Sequence, residues 1–257
     1  MACGEKGTGR FPEPKQIIET ILLYINKNQI LTNQFKNISI LITAGPTIEN
    51  IDPVRFVSNK SSGKQGFEIA SELTKRGAKV TLITGPVNIP LPNCENVIQV
   101  TSAQEMLDNV TQQLPTDIFI CSAAVADWKL IPKTLSNKSF DVSNKIKKTN
   151  DTLLFETIKT PDILGTVAKS NLRPKIVIGF AAETNKVKKN AYSKLLSKNI
   201  DLIIANDVSN NQVFGEDFNK VCLVDKNNCE EWEKQSKKSV AFHLANKIND
   251  LLTNYDQ

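Results

Sequence analysis

The sequence is short of several things that catalytic proteins often use, and each shortage narrows the field. His243 is the one histidine in 257 residues. A histidine-based triad would have to rest on that single ring, and a protein zinc site has little to build on. Five scattered cysteines (Cys3, Cys94, Cys121, Cys222, Cys229) form no C-x-x-C pair. That removes the usual metal and redox spacings and suits a reducing compartment, so a cytoplasmic location is expected. No apolar run approaches the ~18 residues of a membrane helix, so no membrane partner is expected. The opening "MACGEKGTGRFPEP" has no signal-peptide core. Aromatic residues are 6% of the chain and do not interleave with basic ones. The net charge of +5 is a mild excess, compatible with a phosphate-rich ligand or with a solvated lysine face and weak as a nucleic-acid signal.

Two phosphate-binding loops are also missing. The stretch "SSGKQG" (61–66) looks at first like a Walker-type loop, G-x-x-x-x-G-K-[ST]. Ser58 stands where its first glycine belongs, and Gln65 stands where a hydroxyl would hold magnesium. The dinucleotide pattern G-x-G-x-x-G fails too, since only Gly63 and Gly66 are present.

What is present is an alternation of apolar strands and helical patterns, with 40% apolar residues to build a core. That length holds one large domain or two small ones. "PKQIIETILLYIN" (14–26) has helical spacing, and a polar linker, "NKNQILTNQFKN", follows. "ISILITAG" (38–45), "AKVTLITGPV" (78–87), "DIFICSAAVADW" (117–128), "KIVIGFAAET" (175–184) and "IDLIIAND" (200–207) read as buried parallel strands, the fourth ending at Phe180. Helices are expected after Lys64, after Ser102 with Glu105 as a capping box, over 184–199 and over 238–252. A hairpin turning at Lys226-Asn227-Asn228 lies before the last helix. The fold class is α/β, a mostly parallel sheet with flanking helices and a C-terminal hairpin. Ligands then bind outside the carboxyl ends of the strands, where the loops 44–64, 122–130 and 180–184 should converge on one rim.

The first of those loops is far longer than usual, which suggests function. It brings Arg55, Asn59, Ser61, Ser62, Gly63 and Lys64 to the head of a helix, a setting that favours a phosphate or carboxylate. The plainer alternative is an ordered loop capped by its own serines. Small residues from Ser122 to Ala124 allow a ligand to lie against backbone, and Asp127 could accept from sugar hydroxyls or a base amine, or cap a turn. In "NKIKK" (144–148), Lys145 and Lys147 would share one face of a strand, either as ligand contacts or as a solvated edge. "IKTPDIL" (158–164) reads as a helix start. Lys194 and Lys198, spaced i and i+4, either share an anion or face water. Phe180 could stack on a base or pack in the core.

Taken together and in order, "ITAGPTIENIDPVRFVSNKSSGKQGFEIA", "AAVADW", "KIKK", "TPDIL", "GFAAET" and "LIIANDVS" resemble bacterial phosphopantothenate–cysteine ligase over residues 38 to about 254. The resemblance implies a Rossmann-like fold and CTP-dependent joining of 4′-phosphopantothenate to L-cysteine through an acyl-cytidylate, with Mg2+ accompanying the CTP. It implies that Lys145 supports acyl-cytidylate formation and that Asn59 handles the intermediate. Arg55 and Ala124 match further residues of the acyl site, and Ser61, Ser62, Gly63 and Lys64 lie beside Asn59 as the expected substrate-phosphate loop. CTP contacts are implied for Asp127, Lys145, Ile158, Lys159, Thr160, Pro161, Phe180, Lys194 and Lys198. It also implies a homodimer in which each site is completed by the partner chain. No protein metal ligand is expected.

Two positions depart from the family: Ile48 replaces a common arginine, and Lys60 replaces a common histidine. "ACGEKGTGRFPEP" resembles the tail of phosphopantothenoylcysteine decarboxylase, with Cys3 matching its flap cysteine. Residues 1–36 are therefore expected to be a decarboxylase remnant plus linker, and 37–257 the ligase domain. No FMN is expected on this chain alone, and a separate decarboxylase chain is left open as a partner. Two other readings stand beside the ligase: a non-catalytic nucleotide-binding module left from an eroded bifunctional gene, and an NAD(P) oxidoreductase, which lacks its glycine fingerprint.

Overall fold

The computed structural model describes residues 31–136, 138–148, 152–209 and 216–255, with 13–15, 17–19 and 21 ahead of them. The described positions within 14–26 are helical, as the spacing predicts. Cys3 and the rest of the decarboxylase-like tail lie outside the described residues.

One sheet of eight strands organises the chain. Its strands are β1 (Ser39–Ala44), β4 (Lys79–Thr84), β5 (Asn96–Gln99), β6 (Ile118–Cys121), β9 (Ile176–Glu183), β10 (Leu202–Asp207), β11 (Phe218–Val224) and β12 (Cys229–Ser236). The order across the sheet is β12-β11-β10-β9-β6-β1-β4-β5. β5, β4, β1, β6, β9 and β10 pair in parallel, with Ile40 opposite Val80 on one side and Ile118 on the other. β11 and β12 add an antiparallel edge. β1 sits between β4 and β6, so the strand order reverses beside it. In open α/β sheets ligands bind at such a switch point.

Strand alternation places the core on both faces. Ile40 and Ile42 join Phe67, Leu73, Val240 and Leu244 on one side. Leu41, between them, joins Met106, Val110, Leu164 and Leu195 on the other. Helices α1 (Lys64–Lys75) and α5 (Lys237–Tyr255) cover the first face. Helices α2 (Ala103–Gln112), α3 (Ile163–Ala168) and α4 (Val187–Lys198) cover the second. The result is a three-layer Rossmann-like α/β fold.

Several elements differ from the sequence expectation. The polar linker before β1 supplies Phe35, fully buried in the first core. The long loop after β1 carries a hairpin, β2 (Ile48–Asn50) with β3 (Phe56–Ser58). A second hairpin pairs β7 (Trp128–Lys133) with β8 (Leu154–Lys159) and stands outside the sheet. Residues 145–148 are not a strand, so Lys145 and Lys147 do not share a sheet face. β9 runs past Phe180 to Glu183. The capping box forms with a shifted return bond: Ser102 Oγ accepts from Glu105 N at 3.2 Å, whereas Glu105 Oε2 accepts from Thr101 N at 2.8 Å.

Candidate functional site

The loops after β1, β6 and β8 are tied together by hydrogen bonds at the carboxyl edge of the sheet. Thr47 N donates to the Ala124 carbonyl (3.3 Å), and Ala124 N donates to the Gly45 carbonyl (2.9 Å). Thr47 Oγ1 accepts from Ala126 N at 2.9 Å. Thr160 N donates to the Asp127 carbonyl at 3.1 Å, and its hydroxyl donates to the Ala126 carbonyl. Glu49, on β2, is buried and accepts from Ala103 N at the head of α2 (2.9 Å), which anchors the first hairpin. Fixing loops onto rigid elements in this way preorganises a site.

These loops enclose a cavity of about 940 Å3. Most of the residues that the sequence singled out line it: Asn59, Ser61, Ser62, Gly63 and Lys64 from the β1 loop; Ala124 and Asp127 from the β6 loop; Lys159, Thr160 and Pro161; then Phe180, Lys194 and Lys198. The cavity therefore unites five segments whose roles could only be weighed separately in the sequence.

Three expected site residues are not in its wall: Arg55, Lys145 and Ile158. Arg55 is turned to Asp52 (Nη2 to Oδ2, 2.5 Å) and donates to the Ile146 carbonyl at 3.0 Å. Ile146 N in turn donates to Asp52 Oδ2 at 3.2 Å. Arg55 and Asp52 thus hold the segment that carries Lys145, which is itself exposed. The Arg55 guanidinium keeps the buried Asp52 carboxyl well below the usual carboxylate range, against the opposing effect of burial. Ile158, on β8, is 49% exposed.

Inside the cavity the contacts are specific. Asn59 Nδ2 donates to the carbonyls of Ala124 (3.2 Å) and Val125 (3.0 Å). Both of its amide hydrogens are then used, and Oδ1 remains as an acceptor. Lys198 Nζ pairs with Asp162 Oδ2, and Asp162 Oδ1 caps α3 by accepting from Gly165 N at 3.1 Å. Burial raises the Asp162 pKa, but the bonds from Lys198 and Gly165 and the charge of Lys194 leave it lowered overall. Cys121 also lines the cavity, and burial pushes its thiol up despite the bond from Thr43 Oγ1. It is a poor nucleophile as a result.

Two glycines shape the loop in different ways. Gly63 caps α1 at a φ of 75°, in the left-handed region where a side chain is strained. A Cβ on Gly66 would lie 2.6 Å from Ala44 Cβ, so its missing side chain lets α1 sit close on β1.

The sequence reading missed Gln65, Asn206, Asn219 and Lys237, which also line the cavity. One signal was available: Asn219 occupies a buried phase of the β11 alternation, where an apolar residue belongs. No cluster of three or more His, Cys, Asp or Glu able to hold a metal occurs among the described residues. Among those residues, too, no helix is long and apolar enough to cross a membrane.

Comparison with known proteins adds to this geometry. A family model described as the DNA/pantothenate metabolism flavoprotein C-terminal domain matches residues 35–252. The coenzyme A biosynthesis bifunctional protein CoaBC of Haemophilus influenzae is 43% identical over 249 residues, covering 96% of this chain and 59% of that protein. Its counterpart in Escherichia coli K12 is 38% identical over 262 residues, covering 100% of this chain and 61% of its own length. The chain thus spans about three fifths of these relatives. A crystal structure of the C-terminal domain of a CoaBC protein superposes with a TM-score of 0.70 at 37% identity, covering 86% of this chain and 99% of that one. On that match, this chain belongs to the family of the DNA/pantothenate metabolism flavoprotein C-terminal domain.

Proposed function

We propose that this chain is a phosphopantothenate–cysteine ligase that uses CTP. The carboxylate of 4′-phosphopantothenate attacks the α-phosphorus of CTP, pyrophosphate leaves, and an acyl-cytidylate forms. The amine of L-cysteine then attacks the acyl carbon. The bond to the cytidylate oxygen breaks, CMP leaves, and the amine gives up a proton to form the amide.

The observation that carries this reading is the single cavity lined at once by Asn59, Ala124, Asp127, Phe180, Lys194 and Lys198. Charge develops on phosphate oxygens in such a transfer, so placed cations and dipoles supply the catalysis. Lys194 and Lys198 face the phosphates, with Asp162 holding Lys198 in place. Asp127 accepts from the nucleoside, Phe180 offers a ring to the base, and Lys159 to Pro161 form the adjoining wall. Ser61, Ser62, Gly63 and Lys64 meet substrate phosphate at the head of α1. Asn59 presents Oδ1 as an acceptor to the amine of the incoming cysteine while its Nδ2 braces the Ala124 turn. Magnesium would shield the triphosphate charge and arrive bound to it; of the two carboxylates on the cavity wall, Asp162 is paired with Lys198, which leaves Asp127 to face the ion.

Lys145, Arg55 and Ile158 lie beyond their own chain's cavity wall, which supports a homodimer in which they serve the partner's site. The exposed apolar residues of the β7–β8 hairpin and its tip, Trp128, Phe155, Ile158 and Leu135, support the same reading. The test is direct. Purified chain, Mg2+, CTP, 4′-phosphopantothenate and L-cysteine should give phosphopantothenoylcysteine and CMP by mass spectrometry. Absence of both from folded protein would refute the proposal.

A further inference from the structure

At the end of the cavity bounded by β10, β11 and the start of α5, polar groups outnumber their partners. Asn219 is 2% exposed, yet among the described residues neither its Nδ2 nor its Oδ1 has a hydrogen-bond partner. Gln65 Oε1 and Asn206 Oδ1 are buried and unpartnered in the same way. All three residues line the cavity. Buried polar atoms are normally paired, and an exception calls for a reason.

Lys237 stands beside them as the first residue of α5, and it is 7% exposed. Its N–H donates to the Asp217 carbonyl at 2.8 Å. Its own carbonyl accepts from Gln65 Nε2 at 3.1 Å. Both backbone groups are therefore pinned. Its ammonium makes no ion pair with a described residue, and the nearby Asp217 carboxylate is engaged by Lys64 Nζ at 2.8 Å. Burial and the charge of Lys64 push the Lys237 pKa down, and Asp217 and Glu216 act against them. A buried cation without a counter-ion is expensive. It becomes favourable when an anion enters. The head of α1 faces the same cavity: Gly63 caps it without a side-chain hydrogen bond, so the positive end of the helix is not satisfied that way. The β-bulge in the β11–β12 pairing falls next to Asn219, and bulges re-aim side chains near sites.

We propose that Lys237, Asn219 and the N-terminus of α1 form a phosphate-binding subsite at this end of the cavity. Lys237 and Asn219 Nδ2 donate to phosphate oxygens. The unpartnered acceptors of Gln65, Asn206 and Asn219 accept hydrogen bonds from hydroxyls of the same ligand or from its hydration shell. The phosphate has two sources, the β,γ-phosphates of a nucleoside triphosphate or the terminal phosphate of the acyl substrate. Naming these sources rests on the ligase reading; the subsite does not.

Calorimetry with inorganic pyrophosphate, CTP and 4′-phosphopantothenate as separate probes tests it. Lys237→Met should weaken at least one probe by about tenfold or more, the loss expected for one charge-assisted hydrogen bond. Lys237→Arg should restore most of that loss. Asn219→Leu should weaken the same probe while raising the melting temperature, because it removes unpaired buried polar atoms. A loss confined to pyrophosphate and CTP assigns the subsite to the nucleotide. A loss confined to 4′-phosphopantothenate assigns it to the acyl substrate. Wild-type affinity for all three probes in folded Lys237→Met and Asn219→Leu proteins would overturn the subsite, as would failure of the wild type to bind any of them. If the probes bind as expected but no amide product forms, the subsite stands and the ligase reading falls.

Discussion

Asn59 donates both hydrogens of its amide to the turn that Ala124 begins, at 3.2 Å to the Ala124 carbonyl and 3.0 Å to that of Val125. One side chain from the loop after β1 therefore fixes the loop after β6 across the switch point of the sheet. The same residue faces the cavity, so it both braces the cavity wall and lines it.

Replacing that amide should separate the two chemical steps. Asn59→Asp keeps the shape but replaces the two donors with a carboxylate facing two carbonyls. Amide product should fall by about 100-fold or more, in the range found when a reacting group is misplaced by about an ångström, while acyl-cytidylate accumulates. Chromatography of the quenched reaction checks this. Loss of product with no intermediate would move Asn59 to the first step.

Lys145 and Asn59 should complement each other between chains. Lys145→Gln alone should block pyrophosphate release, and Asn59→Asp alone should block amide formation. In a two-fold dimer with shared sites, co-expressing the two variants should restore about a quarter of wild-type activity: half of the dimers are mixed, and each mixed dimer has one intact site. Activity no higher than that of either variant alone would place Lys145 in its own chain's site.

The sheet was legible in the sequence, because its central strands are apolar runs such as Ile40-Leu41-Ile42 that face two cores at once. The carboxyl-edge rim followed from that sheet. The β7–β8 hairpin was not legible: every residue of "LFETIK" is exposed, so no buried phase marks it as a strand, and Pro132 in β7 argues against one. Strand alternation was read into Lys145-Ile146-Lys147, but tertiary bonds from Asp52 and Arg55, not a sheet, hold that segment. Lys237 carries no local signal in the sequence, since nothing nearby shows that α5 starts against α1.

Arg76 was equally invisible, and it is the largest fully buried side chain among the described residues. It reaches Glu72 (2.7 Å), Gln34 (2.8 Å), Asn246 (2.6 Å) and the Phe242 carbonyl (3.1 Å), joining α1 to α5. Arg76→Ala leaves a buried carboxylate unpaired and should cost about 3–5 kcal/mol. Urea unfolding measures it, and a loss below about 1 kcal/mol would show that the network is not structural.

The Asp162–Lys198 pair sets a pH dependence. The Asp162 pKa is lowered from its ordinary value of 3.8 in the folded protein. Its stabilisation is therefore present above the unfolded value and lost as pH falls through the folded one. Asp162→Asn keeps an oxygen to cap α3 but cannot titrate. It should lower the melting temperature at neutral pH, and its melting curve should lose less than the wild type as pH drops below about 4. Parallel slopes for the two proteins would remove Asp162 from the account.

Pyrophosphate release from the purified chain tests the central claim most directly. Mg2+ and 4′-phosphopantothenate are mixed with CTP or with ATP, with and without L-cysteine. The ligase account predicts a burst with CTP of about one pyrophosphate per site when cysteine is absent, and continuous release when it is added. No release with either nucleotide from folded protein would contradict that account and favour a nucleotide-binding module without catalysis.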